Sequence, residues 1–375
     1  MRAHPRPRPD YVFMAGVATW LLFGLVMLTS ASTVIGYEKF GDRYFFIKRQ
    51  LLTGVLPGLL VFWLCARIDY HRWKQFSAIV LAGTLGLLLA VFVPELGSTL
   101  NTAARSWLVL GGYSFQPAEA AKLGLIIFLA ARLAGQGKDL ANFSGGFLPS
   151  LGLGSLPLLL ILIQPDVGTA CILFAILFIL LFLAGAKLSH LGGVATVGLG
   201  GLAFLILKAP YRAARFMTFL HPELHPLGIG YQINQAFLAI GSGGIFGLGF
   251  NRSRQKFHYL PEVHADSIFA IIGEEMGFLV TLGFVGLLVF VTLRALRVAR
   301  CAPDQFGRLL VSGIAIWFMI QSFLNIGAMV GLLPLTGVPL PFVSHGGTAL
   351  MVAFAAVGII VNVSRQAMRT PNVGL

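Results

Sequence analysis

Leu260-Pro-Glu262-Val-His264-Ala-Asp266 runs directly into Ser267-Ile-Phe-Ala-Ile-Ile-Gly-Glu274-Glu275-Met-Gly-Phe-Leu-Val-Thr-Leu-Gly-Phe-Val-Gly-Leu-Leu-Val-Phe-Val-Thr-Leu293. A short polar stretch gives way to an apolar run longer than the ~20 residues a helix needs to cross a bilayer. The run is continuous rather than alternating, which argues for a helix and against a membrane β-barrel. Outward from 267–293, nine further runs of this kind stand at 11–33, 50–68, 76–94, 117–135, 147–164, 167–185, 188–208, 309–333 and 342–364. The expected fold class is therefore all-α: a polytopic membrane protein with about ten transmembrane helices. Composition agrees, with 57% hydrophobic residues, 11% charged residues and a mean hydropathy of +0.84 over 375 residues. A soluble domain carries roughly 25% charged residues.

Lysine and arginine are divided unequally between the two sides. With the N-terminus inside, one side collects Arg2, Arg6, Arg8, Arg67, Arg72, Lys74, Arg132, Lys138, Lys187, Arg294, Arg297, Arg300, Arg308, Arg365 and Arg369, while the short loops of the other hold Lys39, Arg43, Lys48, Arg49, Arg105 and Lys122. The bias predicts cytoplasmic termini and places the 254–266 cluster outside. The formal charge of +13 is thus accounted for by topology signals and helix-end cations, and no nucleic-acid partner is expected. Cys65, Cys171 and Cys301 form neither a disulfide nor a metal pattern. Residues 1–10 read as a disordered cytoplasmic tail, 11–366 as one transmembrane domain with an extracytoplasmic loop at 209–266, and 367–375 as a second tail. The first helix reads as a permanent anchor without a cleavable signal.

Within the long loop, the sequence predicts a short helix over 210–220 and an amphipathic one over 230–240 lying near the interface. Gly241-Ser-Gly243-Gly244-Ile-Phe-Gly247 follows; it lacks the third glycine and preceding strand of a dinucleotide fingerprint and reads as a flexible turn. Pro334, Pro339 and Pro341, then Gly346-Gly347, mark an interrupted approach to the last helix and suggest a cavity wall.

Charged groups beside spanning helices are costly and usually face a cavity. Arg49, Arg105, Lys122, Asp166, Lys256, Glu262 and Asp266 all fall at outer helix ends or in outer loops, and could line one cation-rich cavity. Such a cavity suits a phosphate-bearing lipid, for instance a polyisoprenyl-pyrophosphate. Asp266 is the candidate catalytic carboxylate, able to accept a proton from an attacking hydroxyl; capping the following helix is its other reading, and the two are compatible. Glu262 is expected to pair with Lys256 or Arg254. His264 is a candidate base or metal ligand with no partner at ligand spacing. Asp166 and Lys122 read either as a buried ion pair or as cavity residues. Glu274 and Glu275, about 12 Å farther along the helix, read as structural groups rather than a proton relay.

The motifs in order resemble the SEDS family, the shape, elongation, division and sporulation proteins typified by RodA, FtsW and SpoVE. They are Lys48-Arg49-Gln50, Ala104-Arg105 with Trp107, Phe115-Gln-Pro with Glu119 and Lys122, Gln164-Pro-Asp166-Val-Gly-Thr169, Gly230-Tyr-Gln232-Ile, Gly241-Ser-Gly-Gly, Leu260-Pro-Glu262-Val-His264-Ala-Asp266, Gly273-Glu274-Glu275 and Pro339-Leu-Pro341-Phe-Val-Ser344. The first outer loop and Ser253-Arg-Gln-Lys256 look more like the division branch than the elongation branch. Departures stand at Ala265, Ser267, Ser106 and His345. The resemblance implies an inverting peptidoglycan glycosyltransferase polymerising lipid II, the undecaprenyl-pyrophosphate-linked disaccharide peptide, at the outer face of the bacterial cytoplasmic membrane. It implies Asp266 as catalytic residue and Arg49, Arg105, Lys122 and Asp166 as cavity residues, with Lys256, Glu262 and His264 also assigned to substrate. It further implies a class B penicillin-binding protein and other division proteins as partners, besides membrane lipids. No dedicated cofactor or metal site is expected, although a divalent cation, Mg or Mn, could assist. The rival readings are a lipid II flippase, which requires polar groups through to the cytoplasmic side, and a non-catalytic scaffold, which would tolerate change at Asp266.

Overall fold

The computed structural model describes residues 9–98, 106–111, 113–221, 228 and 230–367. Helix α1 (Tyr11–Phe40) is followed by α2 (Phe45–Gln50), which continues through one π-helical turn (Leu51–Val55) into α3 (Leu56–Arg67), then α4 (Tyr70–Gln75) and α5 (Ser77–Ala90). A small antiparallel sheet, β1 (Gly97–Ser98), β2 (Trp107–Leu110) and β3 (Tyr113–Phe115), precedes α6 (Pro117–Gln136). Next come α7 (Leu148–Ile163), α8 (Val167–Leu183), α9 (Leu188–Lys208), α10 (Pro210–Leu220) and α11 (Tyr231–Gly243). The chain closes with α12 (Ile268–Arg300), α13 (Gln305–Met329) and α14 (Gly347–Gln366).

Helices stand at all ten expected runs, and among the described residues seven are long and apolar enough to cross a membrane. Those at Ser77–Ala90 and Val167–Leu183 are apolar but shorter, and α6 carries Glu119, Lys122 and Arg132 in its run. The protein is a multi-pass membrane protein. Its axis is formed by α13 and α14, most of whose apolar residues are buried, whereas α9 buries almost none and lies at the rim. Asp10 caps α1 by accepting from Phe13 N (2.9 Å) and pairs with Arg294 Nε (2.8 Å), so the start of α1 and the far end of α12 share one side of the membrane.

The loop between α9 and α12 is not a loose excursion. Helix α11 packs along the first turns of α12, burying Ile233, Ala236 and Ala239 on the apolar face of its amphipathic pattern. Its C-terminal Gly243 sits so close to the Gly273 carbonyl that a Cβ there would overlap it. The 241–247 stretch, expected to be a flexible turn, is hydrogen-bonded to α12. At Gly277 the helix breaks, with φ 72° and ψ 179°, a conformation glycine adopts without a Cβ penalty. The break withdraws the Glu274 and Glu275 carbonyls from the Phe278 and Leu279 amides, their partners in an unbroken helix. The loop replaces all four partners: Leu248 N donates to Glu274 O and Gly249 N to Glu275 O (both 3.0 Å), while Phe278 N donates to Gly244 O (2.9 Å) and Leu279 N to Ile245 O (3.3 Å). Backbone groups near a bilayer need such partners.

The side chains of Glu274 and Glu275, 0% and 1% exposed, hold the returning limb. Glu275 accepts from Asn251 N (3.1 Å), Ser253 N (3.2 Å) and the Ser30 hydroxyl of α1 (2.6 Å), and Glu274 accepts from Arg254 N (2.8 Å) and the Ser253 hydroxyl (2.5 Å). Lys256 Nζ completes the cluster at 3.1 Å from Glu275 and 2.5 Å from Asn251 Oδ1. These two acids are structural, as their position in the sequence suggests. Lys256, assigned above to substrate, is instead 3% exposed and committed to this ion pair, so it does not pair with Glu262. The sequence could not reveal this, because the partners come from three separate segments.

Candidate functional site

The limb ends at Asp266, whose backbone is held from three directions. Glu262, at φ 51°, turns the chain so that its carbonyl accepts from both Ala265 N (2.9 Å) and Ser267 N (3.2 Å). The next carbonyls are then taken in succession by the segment before α14 and by α13. His345 N donates to His264 O (2.8 Å), the Ser344 hydroxyl to Ala265 O (2.5 Å), and Asn325 Nδ2 to Asp266 O (2.8 Å). Asn325 also donates to Val338 O (2.8 Å), so one amide ties the aspartate to the interrupted 334–346 segment. That segment is fixed in turn by Gln50, which accepts from Gly346 N (2.9 Å) and donates to Ser344 O (3.3 Å). Three fixed carbonyls leave the Asp266 side chain little freedom except about its own bonds.

Asp266 does not cap α12: Ser267 precedes the helix and no side chain caps it. Its carboxylate is half-buried as a residue, yet Oδ1 is enclosed and has no hydrogen-bond partner among the described residues. Burial first, and the charge of Glu262 second, push its pKa up to about 6, against the pull of Gln232 and Arg215. At neutral pH such a carboxylate is mostly ionised and close to the operating pH, the condition a general base requires. An enclosed anionic oxygen without a donor is costly; an approaching hydroxyl would supply the missing hydrogen bond.

The other predicted residues separate into neighbours and supports. His264 rests against Phe46 with ring centroids 4.4 Å apart and lies 5.9 Å from His345. Burial lowers the pKa of His264, and burial first, with the neighbouring His264 ring and the Arg49 cation adding to it, takes His345 down to about 3. Both imidazoles are neutral at physiological pH. Glu262 is largely exposed, 4.0 Å from His264 Nε2. Arg49 is half-buried on α2, near enough to His345 for its charge to act there. Arg105 lies outside the described residues.

Lys122 and Asp166 do not pair with each other. Asp166 caps α8, accepting from Thr169 N (3.0 Å) and its hydroxyl (2.8 Å). The adjoining Gly168 lies against Thr336 and Val338, and Gly337 between them faces Asp266 Oδ2. Lys122 is fully buried and bound to Glu119 (2.8 Å) and Gln321 Oε1 (2.7 Å), 5.1 Å above the Trp317 ring. Gln321 donates onward to Pro339 O (2.8 Å). Lys122 therefore acts on the segment beneath Asp266 rather than lining an open cavity. Among the described residues no three His, Cys, Asp or Glu side chains converge to hold a metal.

Sequence reasoning passed over Gln321 and Asn325. A signal existed: two amides four residues apart share one face of an otherwise apolar helix.

The order and placement of these residues match known proteins over nearly the whole chain. The family described as "Cell cycle protein", FtsW/RodA/SpoVE, matches residues 10–369. The chain belongs to this family. It is 41% identical over 359 residues to stage V sporulation protein E of Bacillus subtilis, covering 95% of this chain and 97% of that protein. It is 40% identical over 357 residues to a probable peptidoglycan glycosyltransferase FtsW of a Geobacter species (strain M18), covering 95% and 97%. Among solved structures it resembles a chain of a peptidoglycan synthase complex, with TM-score 0.78, 30% identity and coverage of 95% and 98%. It also resembles the rod-shape-determining protein RodA of Thermus thermophilus, with TM-score 0.72, 29% identity and coverage of 96% and 98%. Membership of the family and its helical membrane fold are thus as the sequence motifs indicate.

Proposed function

We propose that this protein is a peptidoglycan glycosyltransferase that polymerises lipid II at the outer face of the bacterial cytoplasmic membrane, in cell division and together with a class B penicillin-binding protein. The observation that carries the reading is the enclosed Oδ1 of Asp266, unpartnered among the described residues, on a backbone fixed by Asn325, Ser344 and His345. The names of the relatives supply the reaction class.

Asp266 Oδ1 takes the proton of the acceptor sugar's 4-hydroxyl as that oxygen attacks the anomeric carbon of the donor. The bond to the lipid pyrophosphate breaks in the same inverting step, and the pyrophosphate leaves with the electron pair. Arg49 and Arg105 offset the charge developing on it, as preorganised cations do. Lys122 and Asp166 act one layer back, holding the 336–339 segment against Asp266. Burial, with the charge of Glu262 adding to it, keeps the Asp266 pKa near the operating range. A divalent Mg or Mn ion could share the pyrophosphate charge, bound chiefly by the substrate.

The test is glycan polymerisation from purified lipid II by wild type and D266N, each with and without the partner. A loss of about 10²–10⁴-fold in the variant is expected for a general base. A variant that polymerises like wild type removes Asp266 from the chemistry, and a wild-type complex without polymer rejects the enzyme reading.

A further inference from the structure

The returning limb of the loop carries a feature that the chemistry at Asp266 does not use. A groove of about 560 Å³ opens between Asn251, Arg252, Arg254, Gln255, Phe257 and Tyr259. Both arginines are exposed, and among the described residues neither has a carboxylate partner. The two acids beneath the groove, Glu274 and Glu275, are turned inward and occupied by loop amides and Lys256. The groove is thus open, cationic and rimmed by two aromatic rings.

Its height in the bilayer follows from its neighbours. Ser30 of α1 bonds to Glu275, and Tyr11 through Ser30 is twenty residues, or ~30 Å of helix, the thickness of the hydrocarbon core. The break at Gly277 thus lies near the edge of the hydrocarbon on the Asp266 side. Beyond it, Phe278, Leu279 and Val280 are exposed on α12, as lipid-facing residues are. The loop tip is bonded to Phe278 and Leu279 and presents Ile245, Phe250 and an 82% exposed Phe246. Apolar side chains at the acyl boundary, with cations and aromatic rings immediately on the water side, match the layering of an anionic lipid. Two guanidinium groups supply the forked donors that bind phosphate oxygens.

We infer that Arg252 and Arg254 bind the phosphodiester headgroup of an anionic glycerophospholipid, seated beside α1 with its acyl chains along Phe246 and Phe278. The groove is separate from the donor and acceptor position: its limb is held against α1 through Ser30, whereas Asp266 is held from α13 and the 334–346 segment. That separation favours a resident phospholipid over the polyprenyl substrate. The inference stands whether or not the chain polymerises glycan.

The experiment uses the full chain in phosphatidylcholine nanodiscs with graded phosphatidylglycerol, and reads retained lipid by native mass spectrometry. R252Q/R254Q is expected to bind phosphatidylglycerol about 30-fold more weakly than wild type, from the attraction of two surface cations. Equal affinity overturns the inference. So does displacement of phosphatidylglycerol from the wild type by equimolar undecaprenyl diphosphate, which would assign the groove to substrate. A variant that keeps its lipid but loses its class B penicillin-binding protein would make the groove a protein interface, and also overturns it. A photoactivatable phosphatidylglycerol tests the wild type without any substitution: crosslinks within 250–259 are expected, and crosslinks confined to other segments refute the site.

Discussion

Replacing Asp266 by asparagine should stabilise the protein while silencing it. Burial and Glu262 raise the carboxyl from 3.8 to about 6 in the folded chain. Between those values the unfolded chain ionises and the folded one does not, so stability falls as pH rises from about 4 to 6 and stays lower above that. A difference of two pH units corresponds to at most ~3 kcal/mol. Water reaches part of the side chain, which reduces the expected effect to about 1–2 kcal/mol. D266N cannot ionise and escapes this loss. Its thermal midpoint at pH 8 should exceed that of wild type by roughly 1–4 °C for a chain of this size, and the two should converge at pH 4. The same carboxyl sets the rate. Polymerisation by wild type should rise about tenfold per pH unit below 6 and level off above it, as the base ionises. Differential scanning fluorimetry in detergent and a lipid II polymerisation series over pH 4.5–8.5 read the two limbs. An equal or lower midpoint for D266N at pH 8, or a full wild-type rate at pH 4.5, would refute the assignment of a buried carboxylate with a raised pKa.

Asn325→Ala frees the Asp266 and Val338 carbonyls together; it should lower kcat at least tenfold with a smaller change in KM, and Asn325→Gln should be similarly impaired because the longer amide cannot span both acceptors. Lys256→Met strands the Glu275 carboxylate, which should cost about 3 kcal/mol, and the double variant K256M/E275Q should recover part of it; if Lys256→Met changes only substrate affinity and leaves the thermal midpoint in place, Lys256 serves substrate after all.

Much of the architecture was legible because bilayer thickness imposes a length on apolar runs and charge imposes a side. Asp266 stands out in the sequence as the carboxylate at the boundary between a polar loop and such a run, and the structure encloses its Oδ1. What stayed hidden depended on contacts between distant segments. Met276-Gly277-Phe278 reads as uninterrupted helix, since glycine is common in membrane spans and nothing local betrays the break. Lys256 reads as a loop cation until Ser30 and Glu275 close around it. Lys122 and Asp166 share one expected cavity on paper, yet each found a partner three residues away, at Glu119 and Thr169. A short-range hydrogen bond is available as soon as the helix forms, and only the folded bundle adds Gln321 of α13 as the second partner of Lys122.

The four exchanged hydrogen bonds at Gly277 also change what chain length means here. Residues 244–249 are fastened to 274–279, so residues 250–273 form a closed ring whose clasp is made of backbone alone. Asp266 lies inside that ring. An inserted or deleted residue between α9 and α11 leaves the ring, and therefore the aspartate, in register. The same change between 250 and 265 leaves the clasp shut and carries the carboxylate away from Asn325. Homologous chains should accordingly vary freely in length between α9 and α11 and hardly at all between 250 and 265.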